Sequence, residues 1–172
     1  MEAQELAEMT EHADGRRGRT IGLTMAIVAA LLASVTLMGH RLHTEETIQQ
    51  TKAADGWAFF QAKNTRSHMY AADAKLAELI GSYGASQAKE WRLKAEEEKR
   101  DADGIRAENE KLDEETHAIA RRAALFDAAE ICLEIAIVLC SIALLTGVAG
   151  FWKVSFLGAA VGVGIAALAL FR

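Results

Sequence analysis

The sequence predicts an all-α membrane protein, with three transmembrane helices and a long antiparallel helical hairpin (coiled-coil-like) that forms a stalk. Three observations predict it. Charge is segregated: residues 40–130 are dense in Lys, Arg, Glu and Asp, whereas 20–39 and 135–171 together carry one charge, Lys153. A bilayer demands that division and a soluble core does not; the mean hydropathy of +0.07 averages it away. Proline is absent, where an average chain of this length holds about eight or nine, and proline breaks helix interiors. Apolar residues recur every seven positions along the polar stretch, the period of a helix seam.

Residues 1–19 are acidic and then basic, with Arg16, Arg17 and Arg19. They read as a mobile polar tail. Residues 20–39 are uncharged and as a helix span about 30 Å, the thickness of the hydrocarbon core. The alternative is a signal peptide, for which the run is too long and lacks an A-x-A site. We read it as transmembrane helix 1.

Residues 40–125 read as the stalk. In the first arm Ile48, Ala62, Met69, Leu76 and Tyr83 share one seven-residue repeat, with Asp55 in the missing slot. The best turn signal of the polar region follows, Gly81-Ser82-Tyr83-Gly84. In the second arm Trp91, Ile105, Leu112, Ile119 and Phe126 are in register by sevens, with Glu98 as the gap, and Ala95, Ala102 and Ala123 stand four residues on. The second stripe is narrow, as a two-helix seam requires. Folding the chain at 82–83 brings residue i near 165 − i, so that Phe60 meets Ile105, Trp91 meets Ala74 and Leu112 meets Ala53. The same register sets the first span opposite 126–144. The arms are therefore predicted as helices over 21–80 and 85–146, each about 90 Å long.

Residues 126–146 form transmembrane helix 2 with an acidic head, 147–153 a tight connection bent at Gly150, and 154–171 transmembrane helix 3. Trp152 and Lys153 suit a membrane interface. Gly158, Gly162 and Ala166 give the third span a small-residue face on which another helix can pack closely. The two cysteines, Cys132 and Cys140, sit about 12 Å apart on one helix, too far to bridge, and read as small apolar residues.

Two constellations stand out as candidate sites. Asp127, Glu130 and Glu134 are spaced i, i+3, i+7 on one helix face. Glu134 lies about 10 Å beyond Asp127, where a charge costs about 2.5–3.5 kcal/mol even on lenient scales. It must be protonated, paired or facing water. Local pairing is expected, Asp127 with Arg41 or Arg122 and Glu130 with His40 or a neighbouring copy; a proton or ion path is the alternative. His40 and His43, one turn apart near Asp127, are the weaker candidates for a metal site, since two His and a carboxylate suit zinc; no metal or cofactor is assigned. The second constellation is Trp57, Phe59, Phe60, Gln61 and Lys63, a docking surface if its aromatics stay exposed and a helix seam if they do not.

Two stretches carry a resemblance. In the first arm it is Trp57-Ala-Phe-Phe-Gln-Ala-Lys-Asn-Thr-Arg66; in the second, Phe126-Asp127-x-x-Glu130 runs into Glu134-Ile-Ala-Ile-Val-Leu139, followed by a short hairpin and a last span. With them the chain resembles DUF4337, a bacterial membrane family of unknown function, over about residues 20–171. The resemblance implies a bacterial membrane protein and no particular activity.

The function classes narrow accordingly. No basic patch alternates with aromatics, so nucleic acid is not an expected partner. No Gly-rich phosphate loop, nucleophile–base pair or CxxC motif is present, so the chain is read as no enzyme. The expected partners are the lipid bilayer and either further copies of the chain or other subunits of a membrane complex. The expected function is that of a non-enzymatic membrane scaffold or accessory subunit acting through self-assembly or partner docking. The alternative is a small proton- or ion-conducting oligomer. The positive-inside rule sets the arginines at 16–19 and Lys153 in the cytoplasm of a bacterial inner membrane, with the stalk periplasmic.

Overall fold

A computed structural model describes the backbone of residues 2–171 and the side chains from residue 17 to 171. Among them the chain is helical, without strands: α1 is Glu2–Leu79, α2 Ala85–Thr146 and α3 Ala149–Phe171, and one 3₁₀ turn, Gly81–Tyr83, joins α1 to α2. The helix backbone reaches Glu2, so most of the stretch expected as a tail is drawn into α1. Met1, Arg172 and the side chains of 2–14 and Arg16 lie outside the described residues. All three helices are long and apolar enough to cross a membrane.

Local chemistry explains the helix lengths. Hydroxyls in or near the apolar runs give their protons to the carbonyl four residues back: Thr24 to Thr20, Ser34 to Ala30, Ser141 to Ile137 and Thr146 to Ile142, at 2.7–3.0 Å. Each such bond satisfies a polar group inside its own helix, which hydrocarbon requires. The helices stop at glycines. Gly81 and Gly147 take φ of +74° and +69°, the left-handed conformation that ends a helix without a Cβ penalty. The connection between α2 and α3 is therefore Gly147 and Val148 alone. This corrects the expected bend at Gly150 and the connection over 147–153: Gly150 has helical neighbours, and α3 begins five residues sooner than the predicted 154.

The chain divides into two units, Met1–Thr44 with Ile119–Arg172, and Glu45–Ala118. In the first, Ile21, Val28 and Val35 of α1 and Phe126, Leu133 and Cys140 of α2 are buried, both sets spaced by seven. α3 adds Ser155, Gly162, Ala166 and Ala169. Gly162 sits where an added Cβ would be 3.0 Å from the Ala129 carbonyl oxygen and 3.0 Å from Leu133 Cγ. Gly158 is similarly placed over the Cys132 carbonyl and Ala136. The small-residue face of α3 thus packs on α2 of its own chain. Among lipid tails, which are as apolar as the side chains, such close van der Waals packing is what associates helices.

In the second unit the two arms pair antiparallel. Ala53, Ser67, Ala74 and Ala77 of α1 are buried, as are Ala88, Ala95, Ala102, Asn109 and Thr116 of α2. Ser67 donates to the Ala95 carbonyl at 2.8 Å and Asn109 Nδ2 to the Ala53 carbonyl at 3.2 Å. Those residue numbers add to 162, close to the 165 of the predicted register. Trp91, Ile105 and Leu112 are half-buried along the seam. Ala53 and Ala74, which the predicted register opposes to Leu112 and Trp91, are among the buried residues. The seven-residue repeat of the first arm lies outside this seam: Ile48 is 50% exposed, Met69 and Leu76 60% and Tyr83 93%. The inner face of α1 carries alanine, serine and glycine instead. Gly56 shows why: a Cβ there would fall on the Asn109 side chain. The backbones approach where side chains are small, and the large apolar residues of the first arm are left on another face.

Candidate functional site

The acidic head of α2 is split between two environments. Asp127 is half-buried and its carboxylate meets His43 Nε2 at 3.0 and 3.1 Å. The ring nitrogen donates when the carboxylate is ionised. Glu130, also half-buried, accepts a 2.8 Å hydrogen bond from Thr36 Oγ1. Both bonds tie α2 to α1. Glu134 is exposed, with no hydrogen bond or ion pair among the described residues. Cys132, Leu133 and Ala136 of the same helix contact α3, so the helical spacing turns Glu134 to the flank away from α3. Of the three carboxylates, Glu134 is the one without a partner among the described residues.

The expected pairings are corrected in detail. Asp127 takes His43 rather than Arg41 or Arg122, and Glu130 takes Thr36 rather than His40. Arg122 turns to α3, where its Nε donates to the Ala169 carbonyl at 3.3 Å. That carbonyl is one of the last four of α3 (Ala149–Phe171), which have no partner within their helix. Of the three residues weighed for a metal, the structure brings His43 and Asp127 together and leaves His40 exposed. No group of three or more His, Cys, Asp or Glu suited to a metal is present among the described residues. Cys132 and Cys140 are free thiols, and Cys140 donates to Ser155 Oγ at 3.2 Å.

The aromatic segment divides as well. Trp57 and Phe60 turn towards the seam, their rings edge to face at 5.7 Å, and Trp57 Nε1 donates to Asp113 Oδ2 at 3.1 Å. Lys63 joins them. Its ammonium reaches Asp101 at 2.8 Å and Glu98 at 3.1 Å, with 17% of both the Lys63 and the Glu98 side chain exposed. Glu98, the gap in the apolar stripe, is thereby paired inside the seam. Phe59 and Gln61 stay exposed, Phe59 under the Lys63 ammonium at 6.0 Å. The five residues named as one docking surface are thus three seam residues and two outward ones.

The Lys63 cluster implies a pH dependence. The hydrogen bond to Asp101, then that to Glu98, holds the Lys63 ammonium above its ordinary value of 10.5, and the same bond holds Asp101 below its ordinary 3.8. Stabilisation from Asp101 is present above its ordinary value and fades as pH falls through the lowered one; that from Lys63 is present below 10.5 and fades as pH rises through the raised one. Thermal unfolding of the full chain in detergent, followed by circular dichroism, is expected to show both losses. Lys63→Met should flatten both limbs, and a variant with an unchanged pH profile would remove the pair from the account.

The exposed apolar residues of the second unit were not predicted as such. A shallow groove of about 310 Å³ near the turn is lined by Leu76, Ala77, Ile80, Tyr83 and Trp91 among others. A larger one of about 610 Å³ lies along Gly56, Phe59, Ile105 and Leu112 with flanking lysines and glutamates.

These features define a helical protein with three helices long and apolar enough to cross a membrane, in which Asp127 and Glu130 join α2 to α1 and whose polar unit is an antiparallel helix pair. Residues 17–172 match the family described as domain of unknown function DUF4337, and the chain belongs to that family. No curated protein and no solved structure matches.

Proposed function

We propose that the chain is a non-enzymatic integral membrane scaffold or accessory subunit that acts by binding another chain. The observation that carries this reading is the run of exposed apolar residues in the polar unit, Met69, Leu76 and Leu79 on α1 with Ile80 and Tyr83 at the turn that follows it, of which Leu76, Ile80 and Tyr83 line one groove. Isolated exposed apolar residues need no explanation, but a contiguous patch marks an interaction surface. The three apolar helices are read as spans of a bacterial inner membrane, with the N-terminus cytoplasmic and the stalk periplasmic, and the helix pair as a coiled-coil-like stalk. The test is the mass of the complex solubilised from its native membrane, with its co-purifying proteins identified. A complex larger than one chain is expected, and a bare monomer overturns the proposal.

A second reading is favoured by Glu134, an exposed carboxylate on an apolar helix that has no partner among the described residues. A small oligomer with Glu134 and Glu130 facing one another would carry protons or ions. Purified protein in vesicles should then pass current or protons, and Glu134→Gln should abolish the flux without changing assembly. Absence of flux in the unmodified protein rejects this reading.

A further inference from the structure

We infer that the outer face of α1 between Ile48 and Leu79 is a parallel pairing surface for a second copy of this chain. This rests on the scaffold reading and names its partner. Ala62, Met69 and Leu76 follow Ile48 at intervals of seven or fourteen, and the positions three further on, from Thr51 to Leu79, are all Thr, Ala or Leu. Both sets are exposed. The alternation of three and four residues is the signature of a helix seam, and it lies on a different face from Ala53, Ser67 and Ala74, which the second arm already covers. The first arm therefore has two seams and the hairpin uses one.

Area and charge select the occupant. On α1 the stripe covers 32 residues, from Ile48 to Leu79, about 48 Å of helix. A strip about 10 Å wide gives roughly 480 Å² on each copy and about 960 Å² in all, close to the lower bound for a specific interface. Copies inserted the same way into one bilayer meet in parallel. Parallel packing sets each residue preceding a stripe position against the residue five further on in the other copy. Along the helix those pairs are Thr47 with Lys52, Ala54 with Phe59, Gln61 with Arg66 and His68 with Asp73. None is a like-charge pair. The stripe holds one charge, Asp55, which in parallel pairing faces its own copy. A polar residue at one such position fixes register and weakens association.

Disulfide trapping in native membranes tests this with the full chain. In a Cys132→Ala, Cys140→Ala background, single cysteines are placed by Ala62→Cys, Leu76→Cys and, on the exposed outer face of the second arm, Glu97→Cys. Mild oxidation is expected to join two copies at Ala62→Cys and at Leu76→Cys and not at Glu97→Cys. Adding Met69→Glu should cut the Ala62→Cys dimer by about tenfold or more, since a methionine removed from a seam forfeits about 1.5–3 kcal/mol; adding Asp55→Leu should increase it. All these side chains are exposed, and unchanged helical content by circular dichroism verifies the fold. Stripe cysteines that capture a different protein overturn the second-copy pairing and leave the scaffold reading standing. Stripe cysteines that capture nothing, in a chain that also runs as a monomer by mass, overturn both.

Discussion

Gly162→Leu is expected to lower the stability of the membrane-type unit by about 3 kcal/mol, the upper part of the range for overpacking, and to part α3 from α2. The position leaves no room: a Cβ would be 3.0 Å from both the Ala129 carbonyl oxygen and Leu133 Cγ, and 3.2 Å from Cys132 Cβ. Two of those neighbours give little, because the carbonyl belongs to the α2 backbone and Leu133 is fully buried. The helix must shift, and with it the contacts of Ala166 and Ala169. Gly164→Leu is the control, since a Cβ there meets nothing within 4 Å. Thermal unfolding in detergent should separate the two variants clearly. Equal stability would mean that α3 does not pack on α2 through this face.

Gly56→Ala should destabilise the polar unit by a net of about 2–3 kcal/mol, although alanine is the better helix former by about 1 kcal/mol. The new methyl takes the place of the Asn109 amide. That amide is buried and donates to the Ala53 carbonyl at 3.2 Å; once expelled, the carbonyl loses its side-chain donor and the seam must open to make room. Asn109→Ala alone should cost about 1–2 kcal/mol for the same hydrogen bond. The double variant removes the clash and is expected to be more stable than Gly56→Ala, with a coupling of about 2 kcal/mol. Denaturant unfolding of the four proteins measures it, and strictly additive effects would refute the contact.

Much of this contact was legible beforehand. Gly56 and Asn109 have numbers that add to 165, so the predicted register already opposed a residue without a side chain to an amide. The register also set Glu98 near Ser67, within one turn of Lys63, and the charge gap in the apolar stripe was the signal for their ion pair. The carboxylates were less legible. Their spacing identified α2 as the helix with something to satisfy, but formal charge selected the expected partners, Arg41 or Arg122 for Asp127 and His40 for Glu130, where the structure has His43 and Thr36. A threonine hydroxyl carries no charge and gave no such signal. Arg122 went to the free carbonyl end of a third helix, whose placement no spacing in the chain reveals.

The sequence by itself determined that the chain is built of long helices, where the first two of them end and which of them are apolar enough to cross a membrane. Those follow from the absence of proline, the segregation of charge and the glycine at 81, all properties of short stretches. Only the tertiary structure decided that close packing leaves the large apolar residues of the first arm outside the seam. Ranking residues by apolar size selects Ile48, Met69, Leu76 and Tyr83, because large side chains have the most surface to remove from water. Two helices brought side by side obey a further requirement, that their backbones reach contact distance. Ala53, Gly56, Ser67, Ala74 and Ala77 permit it, so they hold the seam. The large residues remain on the outside of the hairpin.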